Sequence, residues 1–249
     1  MNKIYTKTII TGASVSIVGA FLVLISGYGY QWGWWGLGVA FRYLLFGGSI
    51  LGLAGLVVAL FGMLSGTMLP SGKILALGTA GIILGAASLT TMTYWYQQAQ
   101  KYPPIHDITT DTENPPEFDA IVPLRKDAPN KTEYAGEETA SIQKEHYPDI
   151  APLYLDLSYE ETFDIALDAA RSTSWRIVDS SREEGRIEAT HELAWYGFKD
   201  DVVIRVDTAE SRDGSRIDVR SVSRIGRGDV GVNAQRIRSY LDRVKNSIE

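Results

Sequence analysis

Cysteine is absent from this chain of 249 residues. Its absence excludes disulfides, thiolate catalysis and cysteine-ligated metals, but it does not identify a compartment, since cysteine-free domains occur in oxidising and reducing compartments alike. Histidine is scarce as well, with His106, His146 and His191 only, and these show no HExxH-type metal spacing. We therefore expect no metal and no cofactor.

Acidic residues are missing from the first 100 positions, where the charged side chains are Lys3, Lys7, Arg42 and Lys73. All 30 acidic residues and the other 20 basic residues follow, so the rest of the chain has a formal charge of −10. An acidic domain repels nucleic-acid phosphates, and we expect no nucleic-acid partner.

Three apolar runs fill the acid-free part, at about residues 8–28, 43–64 and 74–94. Each approaches the ~20 residues that cross a bilayer as a helix. No small-residue cleavage site follows the first run, which argues against a signal peptide. The sequence predicts a three-helix transmembrane domain over residues 1–96, in contact with membrane lipids. A transporter or pump formed by this chain alone is not expected, because no run contains an ionisable residue.

Small residues recur four apart in these runs, as in Gly12–Ser16, Gly48–Gly52 and Gly81–Gly85. This spacing lets helices approach closely in lipid, either within the chain or against a partner. Tyr and Trp cluster over residues 28–35. They indicate an aromatic belt at the membrane interface, with a ligand cage as the alternative.

Basic residues near the spans suggest an orientation. Lys3, Lys7 and Lys73 would share one side of the membrane, and Arg42 and Lys101 the other. By the positive-inside rule, the C-terminal domain is predicted to lie outside the cytoplasm. In a bacterium, that means the inner membrane with a periplasmic domain.

Proline marks the next segment, since eight of the nine prolines lie between Pro103 and Pro152. Proline disfavours helix and confines the preceding residue to extended conformations. We predict an extended arm over residues 97–152 that lies along another surface, with a disordered linker as the alternative.

Residues 153–249 predict an α+β domain. The capping-box pattern Ser158-x-x-Glu161 precedes an apolar helical face, and a second amphipathic helix ends the chain. Between them, turn signals at Glu184-Gly185, Tyr196-Gly197 and Asp213-Gly214 separate β patterns. The expected fold is a four- to five-stranded antiparallel sheet packed by two helices. The predicted strands are 153–157, 175–180, 186–193, 201–208 and 215–225.

A G-x-G-x-x-G spacing at Gly226, Gly228 and Gly231 precedes the last helix. No βαβ unit can follow it, so a dinucleotide site is not predicted. Two alternatives remain. Backbone N–H groups could hold an anion at the helix start, with Arg224, Arg227 and Arg236 nearby. Otherwise the glycines form a strand-to-helix bend that Asp229 or Asn233 caps.

Three stretches together resemble the domain-of-unknown-function family numbered fourteen ninety-nine. They are PPIHDITTD at 103–111, GFKDDVVIRV at 197–206 and SRIGRGDVGVNAQRIRSYL at 223–241. The resemblance covers roughly residues 100–245. The family position matching Gly228 often carries another small residue such as serine, which favours the bend. The resemblance implies no activity and no catalytic residue.

Candidate ligand-binding residues are His191, Trp195, Arg224 and Arg227. His191 shares a strand face with apolar residues, where a satisfied core histidine is the alternative to a pocket residue. Asp200 and Asp201 could perform acid–base chemistry, but they are more typical of a turn cap or of pairing with Arg205. His106, Asp107 and Asp111 could form an oxygen-rich site or a hydrogen-bonded arm.

Three functions remain open. The first is an integral-membrane accessory or structural subunit whose C-terminal domain binds a partner protein. The second is a module that binds a lipid or a small apolar ligand. The third is a hydrolase, for which the sequence contains no nucleophile motif.

Overall fold

The computed structural model describes residues 3–66, 70–209 and 214–248. It contains two compact units. The first comprises residues 1–98 together with Ala194–Gly197, and the second comprises residues 99–193 and 198–249. Asp213 of the predicted Asp213-Gly214 turn lies outside the described residues.

The first unit is formed by three apolar helices: α1 (Lys3–Gln31), α2 (Leu37–Leu64) and α3 (Gly72–Lys101). Residues Ala40–Phe46 of α2 are π-helical. All three helices are long and apolar enough to cross a membrane, as predicted. Most of their side chains are not buried against protein, which is typical of helices whose outer faces contact lipid.

Small residues bring α1 and α2 into close contact within the chain. A Cβ atom on Gly12 would lie 2.8 Å from the Gly55 carbonyl oxygen, and one on Gly55 would lie 2.6 Å from the Gly12 oxygen. Ser16 Oγ also donates a hydrogen bond to the Gly52 carbonyl at 3.2 Å. The four-residue spacing could serve packing within the chain or against a partner. For these residues the structure shows packing within the chain.

The second unit is an α+β domain with an antiparallel sheet. Its strands are β1 (Asp107–Thr109), β2 (Leu153–Leu155), β3 (Arg176–Ser181), β4 (Arg186–Glu192), β5 (Lys199–Thr208) and β6 (Ser215–Ser223). Its helices are α4 (Glu137–His146), α5 (Tyr159–Arg171) and α6 (Val232–Asn246). The strand order in the sheet is β1-β6-β5-β4-β3, and β2 also pairs with β6.

The first face of the sheet forms the apolar core with α5 and α6. Ser158 and Glu161 make the reciprocal capping box that starts α5, as predicted. Alternate residues of β4, β5 and β6 then pack on the inner faces of both helices. The fully buried residues of this core include Ile187, Val202, Ile204, Val206, Ile217, Val219, Ala166, Ile237 and Val244.

The second face is covered by the segment from Thr110 to Ala135, which we call the cover segment. It contains a 3₁₀ turn at Val122–Arg125, and Phe118 and Ile121 pack on Val203 and Val222 of the sheet. The segment thus lies along the second face of the sheet. Strand β1 and helix α4, both within residues 97–152, were not predicted from the sequence.

Candidate functional site

Buried ion pairs fill the layer between the sheet and the cover segment. Asp201 of β5, whose side chain is fully buried, accepts hydrogen bonds from Arg125 at 3.1 Å and from Arg224 at 2.8 Å through each carboxylate oxygen. Thr190 adds a bond of 2.6 Å. Arg125 is 2% exposed. Burial lowers the pKa of its guanidinium, and the Asp201 carboxylate counteracts this effect.

Two more buried charges hold the cover segment in place. Glu188 of β4 accepts the backbone N–H groups of Asp119, Ala120 and Ile121 at 2.8–3.1 Å. Arg220 of β6 pairs with Asp107 of β1, and its guanidinium also donates to the carbonyl oxygens of Pro116 at 3.2 Å and Thr132 at 2.7 Å in the cover segment. Because such charges are costly to bury without partners, these bonds specify where the segment lies.

Asp200 and Asp201 do not form a catalytic pair, because adjacent strand residues face opposite sides of a sheet. Asp201 faces the cover segment, whereas Asp200 bonds Arg236 of α6 at 2.6 Å. The predicted pairing with Arg205 is wrong: Arg205 bonds Asp218 at 2.9 Å. Each carboxylate has a closer arginine from another element.

Asp107 and Asp111 are likewise bound to arginines, and they do not form an oxygen-rich metal site. Asp107 pairs with Arg220, and Asp111 accepts a bond of 2.7 Å from Arg216. The structure therefore favours the hydrogen-bonded alternative. Within residues 3–66, 70–209 and 214–248, no group of three or more His, Cys, Asp or Glu side chains is placed to hold a metal ion.

The glycine loop is a bend capped by the chain's own carboxylate. Gly226 and Gly231 have φ values of 104° and 82°, which favour glycine. The buried Asp229 carboxylate accepts the backbone N–H groups of Gly231 at 2.9 Å and Asn233 at 2.6 Å. Burial raises its pKa, and these backbone bonds counteract that effect. An anion at the start of α6 would have to displace Asp229.

Replacement of Gly231 by alanine should lower the melting temperature by several degrees. The left-handed conformation costs a non-glycine residue about 1–2 kcal/mol, and the new Cβ would lie 2.6 Å from the Tyr102 ring. Gly228→Ser should cost less, because φ is ordinary there and the nearest atom, Pro104 Cα, is at 3.1 Å. The melting temperatures of the purified full chain test this order. If ATP or NAD raised the melting temperature, and Arg227→Gln abolished the rise, the loop would be a phosphate site instead.

A pocket of about 420 Å³ lies between α6 and the turn after α5, and His191 lines it. Nδ1 of His191 is 3.3 Å from Nη2 of Arg236, the arginine that bonds Asp200. Burial lowers the pKa of His191, Arg236 lowers it further, and Asp200 opposes them. The surroundings of the imidazole thus favour its neutral form.

Trp195 belongs to the first unit, where it packs on α1. Its Nε1 donates a hydrogen bond of 2.8 Å to the carbonyl oxygen of Leu24. The hydroxyls of Tyr196 and Ser26 are 2.9 Å apart. A Cβ atom on Gly27 would lie 2.5 Å from the Trp195 ring, so glycine makes room for the indole. This turn therefore contacts helix α1 through both aromatic side chains.

An open groove of about 800 Å³ runs between the cover segment and α4. Four exposed glutamates line it: Glu113, Glu117, Glu133 and Glu137. Phe118 and Val122 contribute apolar surface, and Lys144 and Arg220 are the basic residues of the lining. The Arg220 charge is neutralised by Asp107. We call this feature the acidic groove.

The three predicted site residues of the second unit lie at separate places. His191 lines the pocket beside α6, and Arg224 bonds Asp201, whereas Trp195 contacts α1 within the first unit. Arg227 lines a separate pocket of about 410 Å³ with His106.

A family model described as a protein of unknown function, DUF1499, matches residues 107–244. The chain belongs to the DUF1499 family. No curated protein and no solved structure matches it.

The DUF1499 match begins at the first residue of β1 and ends in α6. It therefore includes the complete sheet, the cover segment and the helices packed on the core. The three apolar helices lie outside the match. The family description assigns no activity, so a function has to be argued from the surfaces of this chain.

Three residues that organise the DUF1499 domain were not predicted from the sequence: Arg125, Glu188 and Arg220. Glu188 and Arg220 stand among apolar residues within strands, a pattern that also fits a solvated sheet face. Arg125 lies in the proline-rich segment, where no periodicity marks it. The available signal for a buried ion pair was a carboxylate or guanidinium within a strand pattern.

Proposed function

We propose that the protein is an integral-membrane accessory or structural subunit whose DUF1499 domain binds a partner protein through the acidic groove. The groove supports this proposal because it combines concave shape, one dominant sign of charge and exposed apolar surface. The buried charges of Arg125, Asp201, Arg220 and Asp107 are engaged in ion pairs, whereas the four groove glutamates are exposed to solvent.

The chemistry of the groove favours a basic, extended polypeptide segment. Glu113 has a long contact of 3.7 Å with Lys144, and both side chains are largely exposed. Such a pair contributes little to stability and can be exchanged for another partner. Val122 is 44% exposed in the groove, and Leu124, two residues on, is 49% exposed. Apolar anchors beside complementary charge are typical of protein interfaces.

The proposed location of the domain is the periplasm, with the helices in a bacterial inner membrane. Three basic residues on the N-terminal side of the spans against two on the other side support this orientation. A basic segment of another envelope protein would then be the occupant of the groove.

A single cysteine tests both orientation and binding, because the chain has no cysteine of its own. Leu124→Cys places a thiol on the exposed 3₁₀ turn next to the groove. In intact cells, a membrane-impermeant maleimide should label it. A benzophenone maleimide on the same thiol, irradiated in native membranes, should form one discrete adduct with a partner.

Charge reversal supplies the control. Glu133→Lys with Glu137→Lys should abolish the adduct, whereas Glu183→Lys, an exposed acid outside the groove, should retain it. Equal adducts in both variants, or none in any assembly state, would refute the groove as the binding site. Labelling only after cell lysis would contradict the periplasmic orientation and place the domain in the cytoplasm.

A further inference from the structure

We propose that the pocket lined by His191 binds a small organic anion with a flat or extended apolar body, such as a carboxylate. This site is separate from the acidic groove and would have the opposite charge preference. Its walls come from α6, from the turn after α5 and from the end of β4.

The apolar part of the pocket is a stacked pair of aromatic rings. The rings of Trp175 and Tyr240 stack with centroids 5.4 Å apart and planes 28° apart. Tyr240 is fully buried, and its hydroxyl donates a hydrogen bond of 2.9 Å to the Ala166 carbonyl. Trp175 is partly exposed and therefore offers ring surface to a ligand. An aromatic wall that is already ordered needs little rearrangement on binding.

The polar part of the pocket is rich in donors, and among the described residues one of its cations, Arg243, forms no ion pair. Arg236 is neutralised by Asp200, and both side chains are almost fully buried. Arg243, one turn before the end of α6, is exposed and forms no ion pair with any residue in the described part of the chain. By contrast, Arg238 of the same helix makes two bonds of 2.6 and 2.7 Å to Asp149. Arg243 is thus the group that would bind the anion.

The volume sets the size of the ligand. About 420 Å³ lies at the lower end of the range for small-molecule pockets, which suits two fused rings or a medium-length acyl chain. A soluble aromatic acid and a fatty acid share this chemistry. Both would place a carboxylate at Arg243 and an apolar body on Trp175.

The test uses the full chain in nanodiscs, labelled with 5-fluorotryptophan. Of the six tryptophans, Trp175 alone belongs to the second unit, and its ¹⁹F signal is assigned by its loss in Trp175→Phe. 2-Naphthoate and decanoate are the probes for the two sources, with 2-naphthalenemethanol and decanol as their uncharged counterparts. At least one acid should shift the Trp175 signal saturably, at concentrations about tenfold lower than its alcohol.

Arg243→Gln should weaken binding of that acid about tenfold. Lys245→Gln removes a basic charge from the same helix outside the pocket and should leave binding unchanged. The acid that binds more tightly identifies whether the natural ligand is a soluble aromatic acid or a fatty acid. Shifts confined to the tryptophans of the first unit would show partition into the membrane and overturn the proposal. Equal affinity of acid and alcohol, or no loss in Arg243→Gln, would overturn it as well.

Discussion

Asp201→Ala should lower the melting temperature of the DUF1499 domain by roughly ten degrees. The substitution leaves the buried Arg125 guanidinium without its carboxylate and removes both bonds from Arg224. Loss of one member of a buried ion pair costs about 3–5 kcal/mol, and each kcal/mol corresponds to roughly 2–4 °C in a domain of this size. Thermal unfolding of the full chain labelled with 5-fluorotryptophan, followed through the ¹⁹F signal of Trp175, measures the shift.

Asp207→Ala is the matched control on the same strand. Asp207 also pairs with an arginine, Arg205 at 3.0 Å, but its side chain is 54% exposed. An exposed pair is worth about 0–1 kcal/mol, so this variant should melt within two or three degrees of the parent. Equal shifts for both variants would mean that the cover segment does not exclude water from Asp201.

The second large effect is expected in the membrane helices, where Gly55→Leu should separate α1 from α2. Even a Cβ atom at this position would lie 2.6 Å from the Gly12 oxygen and from Ser16 Oγ. Helix association in lipid depends on such close packing, because lipid is as apolar as the helix surfaces. Ser16→Cys supplies a single thiol at a position that is buried in the parent. With Gly55→Leu added, a thiol-reactive dye should report unfolding at a temperature about ten degrees lower.

Gly47→Leu provides the comparison. It lies on the same helix, and a Cβ atom there meets nothing within 4 Å. Its thiol-reactivity profile should match that of the parent. If Gly55→Leu behaved like Gly47→Leu, the helices would associate through contacts other than these glycines.

The parts of the fold that follow from local sequence were predictable. Hydropathy located the three spans, and the Ser158–Glu161 box located the start of α5. Alternation located β3 to β6 within one or two residues. Each of these signals depends only on residues that are close together in the sequence, so it does not require knowledge of the tertiary fold.

The polar layer was not predictable, because alternation alone assigns the second face of an antiparallel sheet to solvent. Glu188 is buried because residues 119–121, nearly 70 positions upstream, donate backbone N–H groups to it. No local pattern encodes such a contact. For the same reason His191 was identified only as a single candidate residue, either for a pocket or for the core. The other residues of its pocket, such as Trp175 and Arg243, come from other elements.

The pairing of β1 with β6 determines when the domain can fold during synthesis. Asp107 pairs in register with Val222, and its partner Arg220 is 113 residues further along the chain. A ribosome must therefore translate the chain as far as β6 before the first strand of the sheet acquires its neighbour. Contacts of such long sequence separation are slow to form, and they expose unpaired strands in the meantime. The domain should depend on chaperones that bind the emerging polypeptide after its membrane helices have been inserted.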